Sequence, residues 1–558
     1  MSKQPSNDEF LAIVVFDPKT PPTTRLCRAQ CYVPLRKEKR EPYERLVKLM
    51  SKILLFNYVR IVDPLKSRPD RLAWIIDVES SHKSLKVEEG GVRQDTLSVF
   101  LANPKEELLR SFGESKAFVF LKLQILAEFL DNKISELRNA TVVGDLVYFV
   151  EPKEALNYIL RKNNASKVIG IKIGLLYGTK DVHVELPLDF VWRHCGVFGV
   201  TGSGKTNTLF IICEQLSNAG IPVVAFAREP DFVKEIVKGY TEILNAEELR
   251  IPFSELDVGV INHLLEGYEL TDPMIELHYL ILENLKKGKI APSINTEIAV
   301  LGLALGEKEW IDYLDKVPEV RHKLIQKDQL KKIVINISTS IKKWDPRTIR
   351  GLRTRLFKLL RLFGHTLDCI WMYKHKSFDL KTLIEVKNNK GIIKVIDLTG
   401  FDDPKRRAIL AVLLSKLFEL RELAYRGRLK GVPKFVIVID EIQAFAPDRE
   451  ITPSNAILRK IAQLGRKRGI GLVVATQYPT YMDPQVRRQL VTKIVHAIGV
   501  EAARALDLHE VLNKDVLESL PFQEVGTAIL VTARDYVFAP LKISVPLSKP
   551  FGGKGFET

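Results

Sequence analysis

Apolar residues follow three rhythms along this chain. In the first third they come in short runs that read as strands, at residues 11–16, 71–78, 144–150 and 169–176, the last two framed by turn residues. Residues 116–130 are apolar enough for a buried strand or a helix, and periodicity does not choose between them. From residue 195 onward compact apolar runs recur at 197–198, 220–226, 391–398, 434–439 and 471–476, several of them separated by segments of helical length. That alternation predicts a parallel sheet covered on both faces. Between residues 231 and 387 the rhythm is mostly helical, with apolar faces at 256–265, 274–282 and 295–301, and reads as a helical insertion. Within it, residues 347–363 place apolar positions at helical spacing and line the other face with Arg and Lys. The expected structure is a helix packed on the sheet with a solvated basic face, with binding to DNA or a membrane as the alternative.

The fold class expected is therefore α/β: a nucleotide-binding core split into residues 187–232 and 388–541, a helical insertion at 233–387, a mixed, strand-rich domain at 1–186, and an extended tail rich in Pro and Gly at 542–558. At 558 residues the chain is too long for one hydrophobic core. Hydrophobic residues make up 46% and charged residues 27%, the balance of a water-soluble globular protein. No apolar run is long enough to span a bilayer and the N-terminus carries no signal-peptide pattern, so a cytoplasmic location is expected, with recruitment to a membrane left to a partner. Five scattered cysteines (Cys27, Cys31, Cys195, Cys213, Cys369) make neither a disulfide framework nor a zinc site and read as ordinary thiols. With 84 Lys and Arg against 68 Asp and Glu, the net charge of +16 favours anionic partners, nucleic acid ahead of a membrane surface.

The chemistry centres on residues 199–206, Gly-Val-Thr-Gly-Ser-Gly-Lys-Thr, a phosphate-binding loop between a short apolar strand and a helix-compatible run. Backbone N–H groups must wrap a polyanion closely, so Gly199, Gly202 and Gly204 are read as removing Cβ atoms from that approach. Lys205 reaches the β- and γ-phosphates of ATP, Thr206 offers a hydroxyl to Mg²⁺, and the helix points its positive end at the phosphates. Thr201, Ser203 and Asn207 complete the nucleotide-binding stretch. The apolar strand at 435–439 ends in Asp440, read as the metal-shell acid, and Glu441, read as the general base. The strand ending at Thr476 sets Gln477 at the same edge, where an amide can bond the γ-phosphate or the attacking water. Arg466, Arg468, Arg193, Arg487 and Arg488 are candidates for the positive charge that phosphoryl transfer needs, and sequence does not rank them.

Together, Arg193-His194 before the loop, Val438-Ile439-Asp440-Glu441, the run Gly465-Arg466-Lys467-Arg468-Gly469, Thr476-Gln477-Tyr478-Pro479, Leu520-Pro521-Phe522 and residues 526–530 resemble the HerA family within the HerA/FtsK group, over residues 185–545. The resemblance implies a hexameric ring of RecA-like cores that moves double-stranded DNA with ATP, and a C-terminal segment bracing a neighbouring subunit. It also implies an N-terminal β-barrel, which residues 144–186 are placed to supply, and the service of Arg466 and Arg193 in hydrolysis between subunits. A NurA-type nuclease acting on DNA ends is the implied partner. Two other readings stand beside it: a membrane-docked ATPase of a conjugation-like DNA transfer apparatus, and a nucleotide-gated assembly switch. The chain departs from the family pattern after its second core strand. There Ala227-Arg228-Glu229-Pro230-Asp231-Phe232 stands for a stretch similar to Asp-Pro-His-Gly-Glu-Tyr, leaving Asp231 as the acid. Glu441-Ile442-Gln443 stands for Glu-Ala-His, and Gln477-Tyr478-Pro479 for Gln-Arg-Pro.

Overall fold

The computed structural model describes residues 10–31, 55–82, 117–160, 170–229, 241–314, 326–363 and 378–548, with short gaps inside these spans. They belong to two compact units, one built from residues 1–168, 172–186 and 494–546, the other from 169–171, 187–493 and 547–558.

In the first unit, strands β1 (Phe10–Val15), β2 (Leu26–Cys31), β3 (Tyr58–Val62), β4 (Arg71–His82), β5 (Ala117–Leu130) and β7 (Leu146–Phe149) pair antiparallel in the order β2-β1-β7-β3-β4-β5. The pairing of β2 with β5 closes the ring, and β6 (Lys133–Ser135) extends the end of β5. Every second side chain turns inward, as in Ala12 and Val14, Val59 and Ile61, and Val119, Leu121, Leu123 and Ile125. That alternation settles residues 116–130 as strand. Register shifts at Leu72/Ala73 and Ile75/Asp77 bend β4 around the barrel. The barrel expected within residues 144–186 is thus formed mainly upstream, and only β7 of that range belongs to it. β8 (Gly170–Leu176) and β9 (His183–Pro187) lie in another sheet, where β8 pairs with β20 (Leu541–Ser544) and β20 with β19 (Thr527–Val531). The first residues of the supposed tail are therefore a strand, and residues 549–558 lie outside the described residues. β18 (Thr492–Val495) precedes β19 in the chain.

The second unit carries the parallel sheet. Its strands β10 (Cys195–Phe198), β11 (Val223–Ala227), β12 (Thr241–Asn245), β15 (Ile393–Asp397), β16 (Phe435–Ile439) and β17 (Ile470–Thr476) run parallel in the order β12-β15-β11-β16-β17-β10, and β13 (Val386–Lys387) with β14 (Lys390–Gly391) form a small hairpin. β10, β11, β16 and β17 are buried along their whole length, which is why they read as continuous apolar runs. β12 was expected to be part of the helical insertion. It is a half-exposed edge strand with a polar sequence, so no apolar run announces it.

The helices Asp272–Lys287, Ile294–Ala304, Lys327–Ile341 and Pro346–Phe363 pack on one another as the insertion. The basic helix Pro346–Phe363 buries Ile349, Leu352, Leu356 and Leu359 against these helices and against Asp403–Tyr425, rather than on the sheet. Arg353 pairs with Glu307, Lys358 donates to the Leu265 carbonyl at 2.7 Å, and Arg347, Arg350 and Arg361 face solvent. Cys27, Cys31, Cys195 and Cys213 are free thiols, and Cys369 lies outside the described residues. No helix among the described residues is long and apolar enough to cross a membrane.

Candidate functional site

Parallel register decides which residues meet. Phe198 pairs with Thr476, Val474 with Ile439 and Ile439 with Phe226, so β10, β17, β16 and β11 all finish at one edge of the sheet. The segments that leave those ends are the phosphate loop, Gln477, the Asp440-Glu441 pair and Glu229. Ligands of open parallel sheets bind at such an edge.

Within the loop, Gly202 (φ +78°) and Gly204 (φ +112°) hold left-handed backbone that a side chain would strain. Gly199 has no such requirement; its N–H donates to the Thr476 carbonyl at 3.4 Å and prolongs the β10–β17 ladder. The Val200 carbonyl accepts from the Ser203 hydroxyl at 2.7 Å and from the Lys205 ammonium at 3.1 Å. Lys205 is buried at the start of the helix Lys205–Asn218; burial lowers its pKa, against the opposing pull of Asp440 and Glu441. Thr206 is half-buried on the same first turn. Thr201 is exposed and donates from its hydroxyl to Gln477 Oε1 at 2.7 Å, tying the loop to the end of β17. Asn207 turns away from the expected role: its buried side chain accepts from the Ser548 amide at 2.7 Å.

At the end of β16, Asp440 Oδ1 accepts from the Glu441 N–H at 2.9 Å. Glu441 has φ +51°, a left-handed conformation that a non-glycine residue holds only under constraint from its surroundings. Burial, then the charge of Glu441 and also of Glu229, push the Asp440 carboxyl up to about 6, while Lys205 pulls it down. The family pattern points to Asp231, which lies outside the described residues, and not to Glu229. The end of β11 at the shared edge was the available signal. Gln443 was also missed. It stands on the 3₁₀ turn Ile442–Ala444, donates to the Glu441 carboxylate and accepts from the Thr476 hydroxyl at 2.6 Å.

The arginines separate into two groups. Arg193 ends the 3₁₀ helix Leu188–Arg193 ahead of β10, and Arg466 lies in the last turn of Pro453–Arg468 ahead of β17, so both sit at the amino ends of strands whose carboxyl ends hold the site. At about 3.3 Å per residue, four-residue β10 and seven-residue β17 put them roughly 13 to 23 Å from the loop of their own chain. Asp189 lies 3.5 Å from Arg193 and 3.9 Å from Arg466. Between them His194, buried and at φ +64°, accepts the Leu472 N–H on Nδ1 at 3.1 Å and donates from Nε2 to the Ala462 carbonyl at 3.0 Å. Burial pushes this imidazole down to about 4, so it is neutral. Arg468 instead pairs with Glu422 at 2.7 Å, Arg487 donates to the Pro479 carbonyl at 2.6 Å, and Arg488 is exposed on the short helix Pro484–Arg488.

The donor set fits a magnesium ion that arrives with a nucleotide. Asp440 is a half-buried carboxylate crowded by two others, the Thr206 hydroxyl stands on the loop helix, and Mg²⁺ of this kind takes one or two protein oxygens, phosphates and water. Among the described residues no three His, Cys, Asp or Glu side chains form a metal site by themselves.

A parallel sheet whose carboxyl edge carries a phosphate loop, a half-buried acid pair and an amide is the core of a P-loop NTPase. Residues 171–417 match the family described as "Helicase HerA, central domain". The "DNA double-strand break repair helicase HerA" of Pyrococcus furiosus is 25% identical over 464 residues, covering 77% of this chain and 78% of that protein. Its namesake in Saccharolobus solfataricus is 26% identical over 369 residues, 65% of this chain and 66% of that one. Among solved structures, "Bacterial conjugative coupling protein TrwBdeltaN70" aligns over 68% of this chain and 89% of its own at 16% identity and a TM-score of 0.42. The chain is similar to HerA helicases over 65–77% of its length and matches their central domain at residues 171–417.

Proposed function

We propose that this protein is an ATP-driven motor that moves double-stranded DNA, working as a ring of subunits, six by the family resemblance, in the cytoplasm. The observation that carries this reading is the division of the site. Lys205, Asp440, Glu441 and Gln477 converge at one edge of the sheet, while Arg193 and Arg466 are gathered at the other, out of reach of their own loop. A site of this kind is completed by a neighbour's arginines, which is what a ring supplies and what couples hydrolysis to motion between subunits. A net charge of +16 favours a polyanion as the track, and the names of the relatives point to duplex DNA.

In this reading the loop amides and Lys205, released from Val200, would hold the ATP phosphates, and Thr206 with Asp440 would hold Mg²⁺. Held there, the ion would supply positive charge to the phosphates. Glu441 takes the proton of the attacking water. Gln477 exchanges its bond to Thr201 for one to the γ-phosphate or that water, and Arg466 and Arg193 of the adjoining subunit face the charge that develops. A NurA-type nuclease is the partner this reading proposes, with DNA ends as the shared substrate.

ATP hydrolysis with and without duplex DNA, for wild type and Glu441→Gln, tests both parts. DNA should stimulate wild type, and the stimulation should fade as salt rises. Glu441→Gln should bind ATP yet turn over about 10²- to 10⁴-fold more slowly. A wild-type rate indifferent to DNA would sink the motor reading, and normal turnover by the variant would sink the assignment of the base.

A further inference from the structure

The hydrogen bonds around Glu441 form a directed relay. The Tyr478 N–H donates to Thr476 Oγ1 at 2.9 Å, so the single hydroxyl proton of Thr476 is free to point elsewhere, and it goes to Gln443 Oε1 at 2.6 Å. With its oxygen committed, the Gln443 amide must present its NH₂ to Glu441, and that group donates to Glu441 Oε2. The reverse orientation would set the amide oxygen against an acceptor-only carboxylate. Thr476 is fully buried at the last position of β17, and the next residue is Gln477, which holds the phosphate loop through Thr201. The relay therefore runs from the carboxylate at the end of β16 to the strand end that touches the loop. It also supplies one of the constraints on Glu441, whose left-handed backbone does not by itself fix where the carboxylate points.

We infer that Gln443 is a positioning residue for hydrolysis. Its side chain holds one oxygen of the Glu441 carboxylate and leaves the other to face the attacking water, and it ties that orientation to the end of β17. The inference rests on the reading of Glu441 as the base. Gln443 itself touches neither nucleotide nor water in this scheme; it acts through Glu441. Its amide needs one donor and one acceptor at the right separation, and a neutral imidazole supplies the same pair.

The test compares wild type, Gln443→Ala, Gln443→His, Glu441→Gln and the double variant Glu441→Gln/Gln443→Ala, measuring ATP affinity by equilibrium binding and kcat by steady-state hydrolysis. Gln443→Ala should lower kcat about 10- to 100-fold, the usual range for losing a hydrogen bond to a charged group, with ATP affinity changed less than about threefold. Gln443→His should recover most of that loss. The double variant should be no slower than Glu441→Gln, because a positioning residue has nothing left to position. Unchanged kcat in Gln443→Ala overturns the inference. So does a loss that appears in affinity, one that His does not rescue, or one that multiplies with Glu441→Gln. The outcomes stay separable from the larger reading: a wild type without ATPase activity would refute the assigned reaction, whereas an active wild type with an equally active Gln443→Ala would refute only the relay.

Discussion

Replacing Asp440 with Asn should make the nucleotide-free protein more stable while disabling its chemistry. The carboxyl is held at about 6 instead of its ordinary 3.8, chiefly by burial and then by the adjacent Glu441 charge. At about 1.36 kcal/mol per tenfold change in proton affinity, ionising it in the folded state costs roughly 3 kcal/mol more than in the unfolded chain. Because the folded value lies above the unfolded one, the folded chain holds this proton more tightly. Stability is undiminished below pH 3.8, falls as pH rises towards 6, and stays low above that. Asn cannot ionise, and its oxygen can still accept the Glu441 N–H that Asp440 accepts now. The variant should therefore match wild type at about pH 4 and exceed it by up to about 3 kcal/mol at pH 7.5. Denaturant melts of both proteins across that range, without nucleotide or metal, measure the difference. Adding Mg²⁺ and ATP should then stabilise wild type more than the variant, because the penalty on the ionised carboxylate is what a divalent ion would relieve. Equal stabilities at pH 7.5, or parallel stability–pH curves for the two proteins, would refute the account of a destabilised carboxylate waiting for a cation.

His194 gives a pH dependence of opposite sense. Burial lowers its folded pKa to about 4 from 6.5, so its contribution is complete above pH 6.5 and is lost, by up to about 3 kcal/mol, as pH falls towards 4. His194→Asn, whose side chain tolerates the positive φ, should flatten that part of the stability curve; an unaltered slope in acid melts would exclude a buried neutral imidazole. For the arginines, Arg466→Ala and Glu441→Gln subunits, each inactive alone, should regain a measurable fraction of ATPase activity when unfolded, mixed and reassembled, since some interfaces then pair an intact carboxylate with an intact arginine. No recovery at any mixing ratio would count against action between subunits.

The readable parts of this chain were those where local sequence and burial agree. β10, β16 and β17 are buried along their full length, so strands, loop and acid pair could be read as motifs in order. β5 was ambiguous because a 14-residue apolar run is as long as a helix, and only pairing with both β4 and β2 shows its alternate residues turned into a barrel. The barrel's location was misread for a related reason: good strand signals at residues 169–176 do not say which partner a strand will take, and β8 takes β20, from more than 350 residues downstream. Glu229 carries no motif of its own, and Gln443 stands in sequence only as a departure from the family's Glu-Ala-His. They matter only because parallel register ends four strands together, and register is a long-range property.

The arginines show the same limit from the other side. Arg193 stands six residues before Gly199 in sequence, which made it look like a neighbour of the phosphates. A single buried strand carries the chain across the sheet between them, so the candidate arginine nearest the loop in sequence lies at the opposite edge of the sheet from it. Arg466, more than 260 residues away along the chain, comes to lie beside it instead. The bridge is made by Asp189 and by the His194 imidazole, which grips both β17 and the helix bearing Arg466. Grouping two cations at the far edge, around a partly exposed carboxylate and a rigid neutral histidine, does nothing for the nucleotide of the same chain. In the proposed ring, that edge would serve the phosphate loop of another copy.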